Sequence, residues 1–385
     1  MRRPSNIIFV LPVGERGGAE SVFFEIMRGL DRARFAPSVV FLRDGPFVRE
    51  VREAGIPVHL QPITRLRDPF NYGRTVGALR RVFLRQKARL VISSHGYGHL
   101  YGGMAAWLAR RPAVWWQHGI ASAEHHLDRM AVRIPARGII VSSFAAAEAH
   151  RRVFGASGAP LCVIHPGVDV ERFRSPNPER LARIREEWRT DRFRYLVSAI
   201  GRLEPGKGYD CFLHAARLLS AQMPEVGFLI VGEEMRGARS GYAAALRELV
   251  AALGLGERVI FAGFRREIPE VLAMSDLLVH AATRPESFGV VLCEAMAAGR
   301  PVIATDLGAA REIVVPGETG LLVPPGDPIA LTEAMGSLLR DGARRRMMGE
   351  AARARVLVSF NARRMVARFE QFLDELLVEM REHLA

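Results

Sequence analysis

Two doubly wound α/β domains are what the sequence predicts, on three observations. Short apolar runs of strand length alternate with helical stretches along the chain. Glycine-rich turns follow several of these runs. The alternation breaks once, near the middle, at a stretch rich in proline and small polar residues. With 385 residues, 49% of them hydrophobic, the chain has material for two cores of ordinary size.

In chain order, residues 6–13 form the first apolar run, Gly17-Gly18 follows, and 20–30 reads as the first helix. Further strand-length runs lie at 38–42, 90–93, 113–117 and 138–141, with helical stretches such as 75–85 and 100–109 between them. The break at 166–178 holds Pro166-Gly167-Val168-Asp169, Arg172-Phe173 and Ser175-Pro176-Asn177-Pro178, and reads as a linker. Strand-length runs then resume at 195–200, 227–231, 258–261, 277–280 and 301–304. Residues 362–384 repeat Met365, Val366, Phe369, Phe372, Leu373 and Leu376 at helical spacing, with Asn361 as N-cap. The expected domains are 1–172 and 173–364, two open parallel sheets facing a cleft. Ligands of such sheets bind outside the carboxyl ends of the strands.

Composition narrows the function. Cys162, Cys211 and Cys293 are odd in number, far apart and without metal-ligand spacing, which points to a reducing, cytoplasmic setting. No apolar leader precedes the first run, and no stretch reaches the roughly 18 apolar residues of a membrane span. The expectation is a soluble protein, or one peripheral on the inner face of the membrane. The net charge of +13 lies in residues 1–175, with 26 basic against 13 acidic side chains; the remainder balances at 28 and 28. An anionic membrane or acidic polymer suits such a surface. No nucleic-acid-binding motif is present, so nucleic acid is not an expected partner. Within the basic half, Arg65-Leu66-Arg67, Phe70, Tyr72, Arg74, Arg80, Arg81, Val82, Phe83, Leu84 and Arg85 interleave cations with apolar residues, as a bilayer interface would ask. Only Lys87 and Lys207 are lysines, and arginine takes every other basic position.

Five strand-end segments carry candidate chemistry. Gly201-Arg202-Leu203-Glu204-Pro205-Gly206-Lys207-Gly208 sets two cations five apart in a loop whose glycines let backbone approach a ligand. It lacks the order of a P-loop. Glu286-Ser287-Phe288-Gly289-Val290-Val291-Leu292-Cys293-Glu294 leads into a helix that is apolar all round, with Glu294 its only charge. The N–H groups of Phe288, Gly289, Val290 and Val291 make an open helix end suited to an anion. Gly17 and Gly18 open the first helix without the dinucleotide fingerprint. His118 ends the 113–117 run and His95 the 90–93 run. Phe261 and Gly263 frame a strand end where a flat base could lie. Each also has a purely structural reading: a tight turn, a helix cap with a core ion pair, a satisfied core histidine, or core packing.

Taken together, these residues resemble the family 4 glycosyltransferases of the GT-B fold. Over nearly the whole chain the pieces arrive in the family's order: Gly17-Gly18, His118, Gly167-Val168-Asp169 with Arg172-Phe173, Gly201-Arg202 with Lys207-Gly208, Phe261-Ala262-Gly263, the pair Glu286 and Glu294, the 299–305 segment and the 317–324 segment. The resemblance implies a retaining hexosyltransferase that needs no metal and no cofactor and takes a UDP- or GDP-sugar donor and a glycan or lipid-linked acceptor. It implies that Arg202 and Lys207 bind the donor diphosphate, Glu294 the ribose and Glu286 the transferred sugar. Backbone from Phe288 to Val291 would meet sugar and phosphate, Gly18 would approach the phosphates from the other domain, and His118 would stand at the reaction centre. The last helix, 365–385, would pack back on the first domain. One departure stands: Gly232-Glu233-Glu234 lacks the family's second glycine, and 235–242 reads as an extended loop. Rival readings are a sugar-nucleotide-binding protein without turnover, or an epimerase or phosphorylase on the same fold. The four charged residues Arg202, Lys207, Glu286 and Glu294 and the linker fit a transferase better.

Overall fold

A computed structural model describes residues 4–63, 68–155, 158–234 and 241–382, and the chain divides into two compact units, 1–167 with 362–385, and 168–361. The Arg65-Leu66-Arg67 segment and most of the loop expected at 235–242 lie outside the described residues.

The first unit runs β1 (Ser5–Leu11), α1 (Gly18–Gly29), β2 (Phe35–Phe41), α2 (Pro46–Glu53), β3 (Val58–Leu60), α3 (Pro69–Arg85), β4 (Leu90–Ser94), α4 (His95–Leu108), β5 (Ala113–Gln117), α5 (His126–Ala131), β6 (Gly138–Val141), α6 (Phe144–Phe154) and β7 (Leu161–Val163). Its sheet is parallel, in the order β3-β2-β1-β4-β5-β6-β7. β1 reads as a continuous apolar run because helices cover both faces, and Ile7 to Leu11 are fully buried. The edge strands β3 and β7 have three half-buried residues each, too short and too mixed to show a period. α3 starts six residues before the expected 75. Asp68 accepts from the Phe70 and Asn71 N–H groups and Pro69 takes the first helical position, a start signal readable in the sequence.

The second unit opens with α7 (Val170–Arg174) and α8 (Pro178–Trp188), then β8 (Tyr195–Ile200), α9 (Tyr209–Gln222), β9 (Val226–Val231), α10 (Tyr242–Ala252), β10 (Val259–Gly263), α11 (Ile268–Met274), β11 (Leu277–His280), α12 (Val290–Ala297), β12 (Val302–Thr305), α13 (Ala310–Ile313), β13 (Gly320–Val323), α14 (Pro328–Arg340) and α15 (Gly342–Ser359). The expected linker is therefore partly helical. Asp169 accepts from Arg172 N–H to cap α7, Asn177 accepts from Arg180 N–H to cap α8, and the boundary expected at 172/173 falls inside α7. The sheet is parallel, ordered β10-β9-β8-β11-β12-β13. One buried cluster sets α9, α10 and α14 against one face; others set α8, α11, α12 and α15 against the opposite face.

The last helix, α16 (Ala362–Glu382), belongs to the first unit. Its stripe is buried: Phe369 stacks on Trp116 at 5.6 Å and lies 6.2 Å from Phe9, and Val366 presses on Gly29. Arg34 closes the edge by pairing with Glu370 at 3.0 Å and with Asp374.

Candidate active site

In the second unit the strand order reverses between β8 and β11, so the loops after these two strands part at their carboxyl ends. The 201–208 loop after β8 is tied to the loop after β11. Thr283 N–H donates to the Gly206 carbonyl at 2.9 Å, and Tyr209 donates its hydroxyl to the Gly201 carbonyl at 2.8 Å. Gly208 is left-handed (φ 70°), and a Cβ there would run into the Ala281 carbonyl oxygen. This close approach aims Lys207 at Glu286, with Nζ 2.6 Å from Oε1. His280, the last residue of β11, puts Nε2 3.3 Å from the same oxygen. Burial alone would raise the Glu286 carboxyl, but His280 and Lys207 outweigh it and hold the group well below the usual carboxylate range. Ala309 N–H donates to the Glu286 carbonyl at 3.2 Å, and Gly308 is the residue whose lack of a side chain lets the two segments meet.

α12 begins at the same place. Gly289 is its N-cap, and the first-turn N–H groups of Val290 and Val291 have no intrahelical acceptor. Leu292, Cys293, Ala295, Met296 and Ala297 are buried, and Phe288 packs edge-on against Phe360 at 5.6 Å. Glu294 is half-buried rather than enclosed as its apolar neighbours suggested. Arg202 is exposed, with its guanidinium 3.6 Å from the Glu204 carboxylate. Phe261 is half-buried under the Arg247 guanidinium, 5.1 Å from its ring centre, and the Gly263 carbonyl accepts from Gly232 N–H at 2.9 Å. The missing second glycine has a structural account: Glu234 accepts from Ala243 N–H at 3.0 Å, in the first turn of α10.

The first unit has its own switch point, between β1 and β4. Gly17 is extended (φ −124°), with its N–H donated to the Glu20 carboxylate at 3.1 Å, so no left-handed backbone calls for glycine there. Gly18 is exposed at the start of α1. His118 is only 8% exposed, stacked on Trp116 at 5.3 Å, edge-on to Phe23 at 5.0 Å and 5.1 Å from His95. Burial, and then His95, push its imidazole well below the ordinary value, so it is neutral at pH 7. His95 is a non-glycine residue at φ 56°, a strained conformation of the kind that clusters at working sites. Among the described residues no group of three or more His, Cys, Asp or Glu side chains is placed to hold a metal ion.

Sequence reasoning missed His280 and Gly308. A single histidine closing an apolar strand is indistinguishable from a core residue, and Gly308 works through backbone proximity to Glu286, twenty-two residues earlier. His280 lies six residues before Glu286, and that spacing was the one available hint.

Two doubly wound parallel units, with charged loops at a switch point, define a GT-B glycosyltransferase fold. Residues 16–172 match the model for glycosyltransferase family 4, and 182–355 match that for glycosyl transferases group 1. The chain is 30% identical over 360 residues to a D-inositol 3-phosphate glycosyltransferase of Mycobacteroides abscessus, covering 86% of this chain and 76% of that protein. It is 33% identical over 256 residues to a GDP-mannose-dependent α-(1-6)-phosphatidylinositol monomannoside mannosyltransferase of Mycolicibacterium smegmatis. That match covers 64% of this chain and 65% of the relative, slightly under two thirds of its length. The crystal structure of Anabaena HepE with UDP and glucose superposes with a TM-score of 0.86 at 27% identity, over 96% of this chain and 99% of that one. The chain belongs to the family 4, group 1 glycosyltransferases.

Proposed function

We propose that this chain is a retaining, metal-independent hexosyltransferase that moves a sugar from a nucleotide-diphosphate donor to a glycan or lipid-linked acceptor. The observation that carries this reading is the meeting of Lys207, His280 and Glu286 at the β8/β11 switch point, beside the start of α12. An ammonium and an open helix end are what a leaving diphosphate needs as charge develops on it. Lys207 and Arg202 take the diphosphate, with the Phe288–Val291 backbone. Glu286, kept ionised, accepts hydroxyls of the transferred sugar, and Glu294 accepts those of the ribose. Phe261 and Gly263 lie toward the base, and Gly17, Gly18 and His118 serve the transfer side. With no side-chain nucleophile assigned, the acceptor attacks from the face the diphosphate leaves. Its proton passes to the departing phosphate oxygen as the new glycosidic bond forms.

The names of the relatives support both candidate bases. HepE is described with UDP, and the M. smegmatis relative is named for GDP-mannose. The test is thermal stabilisation by a panel of UDP- and GDP-sugars, followed by turnover with and without acceptor. Stabilisation with acceptor-dependent release of nucleoside diphosphate is expected. Stabilisation without release would leave a binding protein, and product formed without acceptor an epimerase. No stabilisation by any sugar nucleotide would overturn the reading.

A further inference from the structure

Away from the β8/β11 switch point, the second unit carries a basic groove that no family role explains. It is a cavity of about 550 Å³ between the C-terminal end of α7, the start of α8 and the loop before α11. Arg172, Arg180, Arg183 and Arg266 line it. Several arginines elsewhere in this unit are occupied: Arg265 pairs with Glu187, Arg311 with Asp306 and Arg345 with Asp276, while Arg353 and Arg355 hold main-chain carbonyls; Arg217, Arg284 and Arg346 have no guanidinium partner among the described residues. In the groove the guanidinium groups of Arg180, Arg183 and Arg266 make no hydrogen bond or ion pair among the described residues, and Arg172 donates only to the Arg266 carbonyl at 3.2 Å. Two carboxylates share the lining, and both accept from backbone: Glu270, nearly fully buried, from Asn177 N–H at 3.1 Å, and Glu267 from Arg266 N–H at 3.0 Å.

The placement of Arg180 adds an independent point. It is the third residue of the 11-residue helix α8, following Pro178 and Glu179. A cation there faces the positive end of the helix dipole, and the fold alone would favour an acidic residue. Arg183 sits one turn further on, so the two side chains share a helix face. A bound anion would relieve both the mutual repulsion of the arginines and the misfit with the helix end. Planar guanidinium forks converging on a concavity suit phosphate oxygens in particular.

We infer that this groove binds a phosphate-bearing ligand, separately from the 201–208 loop. The ligand class is a small molecule or headgroup with one or two phosphate groups. The inference does not depend on the transferase reading, since none of these residues is assigned to the donor.

The experiment titrates inorganic pyrophosphate into the wild-type chain, Arg180→Glu/Arg183→Glu and Lys207→Ala, reading amide hydrogen exchange along the chain. Protection at 177–183 and 266–270 is expected in the wild type and in Lys207→Ala. It should disappear in the double variant, with each lost arginine weakening binding roughly tenfold. Far-UV circular dichroism and the exchange pattern of β8 to β13 without ligand are compared with the wild type: lost protection at 177–183 with both unchanged assigns the loss to binding, and changes in both assign it to the fold. Protection confined to 201–208 and 286–291, or surviving the double substitution, would overturn the groove. Flotation with phosphatidic acid vesicles identifies the source: vesicle binding lost in the double variant assigns a lipid headgroup, and unchanged vesicle binding assigns a soluble phosphate compound.

Discussion

Lys207 and Glu286 are paired in the structure, yet the proposed chemistry gives them different partners. Lys207 must exchange a carboxylate for a diphosphate, and Glu286 must turn to sugar hydroxyls. His280 makes that exchange feasible, because it stays beside Glu286 when the ammonium moves. Lys207→Ala is therefore expected to leave the carboxylate partnered and thermal stability nearly unchanged. Nucleoside-diphosphate affinity should drop about tenfold or more, as for loss of one charge-assisted hydrogen bond. Glu286→Gln should behave oppositely. It removes the charge that competes for Lys207, so nucleoside-diphosphate affinity is kept or raised, while turnover falls by about a hundredfold. Glu294→Ala should weaken the nucleoside diphosphate itself. Calorimetry on the three variants beside steady-state rates checks the pattern; equal loss of nucleotide binding in Glu286→Gln and Glu294→Ala would contradict the division of roles.

The loop–helix junction at 208 shows how an element delivers these residues. Gly208 is left-handed and lies against the Ala281 carbonyl, so Gly208→Ala meets a conformational penalty and a backbone collision at once. Destabilisation of about 2 kcal/mol or more is expected, with loss of nucleotide binding as Lys207 swings off its aim. Gly254, equally left-handed at φ 66° but with open space around its Cβ position, is the control. Gly254→Ala should cost only about 1 kcal/mol and spare binding. Chemical denaturation and a nucleotide titration separate the two. Elements of this kind were legible to different depths. The long buried strands and the amphipathic stripe of α16 could be read from apolar spacing alone, as could the glycine-rich loop that carries Lys207. The edge strands β3, β7 and β13, of three or four residues, could not, because they are too short to show a period. Nor could the companionship of His280 with Glu286, which depends on where one strand ends, or the helical turn inside the linker at Val170–Arg174.

At the scale of the molecule the two units differ in what they bury and in what they expose. The first unit holds His99, His118 and His150 with imidazoles lowered by burial, His99 to about 4. Between that value and about 6.5 the unfolded chain binds the proton and the folded chain does not, so stability rises with pH across this window and falls on acidification. From pH 6.5 to 5, His99 alone accounts for about 2 kcal/mol. Asp128, raised by burial, acts in the opposite direction, so the test compares His99→Gln with wild type: its unfolding midpoint, followed by Trp115 and Trp116 fluorescence, should depend less steeply on pH. The first unit also carries nearly all of the net positive charge, and there the structure sharpens the expected membrane face. Val82 and Phe83, read as part of that stripe, are buried, and Tyr72 turns inward to donate to the Leu100 carbonyl at 2.8 Å. What remains exposed is Phe70, at 92%, and a cluster of Leu84, Trp107 and Leu108 where α3 and α4 lie side by side, joined by Arg80 donating to the Leu108 carbonyl at 3.1 Å. Arg81, Arg85, Arg110 and Arg111 belong to the same two helix ends. No helix among the described residues is long and apolar enough to cross a membrane, so contact of this face with a bilayer would be interfacial. We propose that it docks on anionic lipid and gives access to a lipid-linked acceptor. Each basic residue near such a surface contributes about 1 kcal/mol. Arg81→Glu/Arg85→Glu should therefore cut co-sedimentation with phosphatidylglycerol vesicles more than tenfold, and Trp107→Ser should cut it further, at unchanged thermal stability. Binding to anionic but not neutral vesicles, lost at high salt, is the expected result. No binding to either at low salt would remove the membrane and leave the second unit's chemistry as proposed, acting on a soluble acceptor.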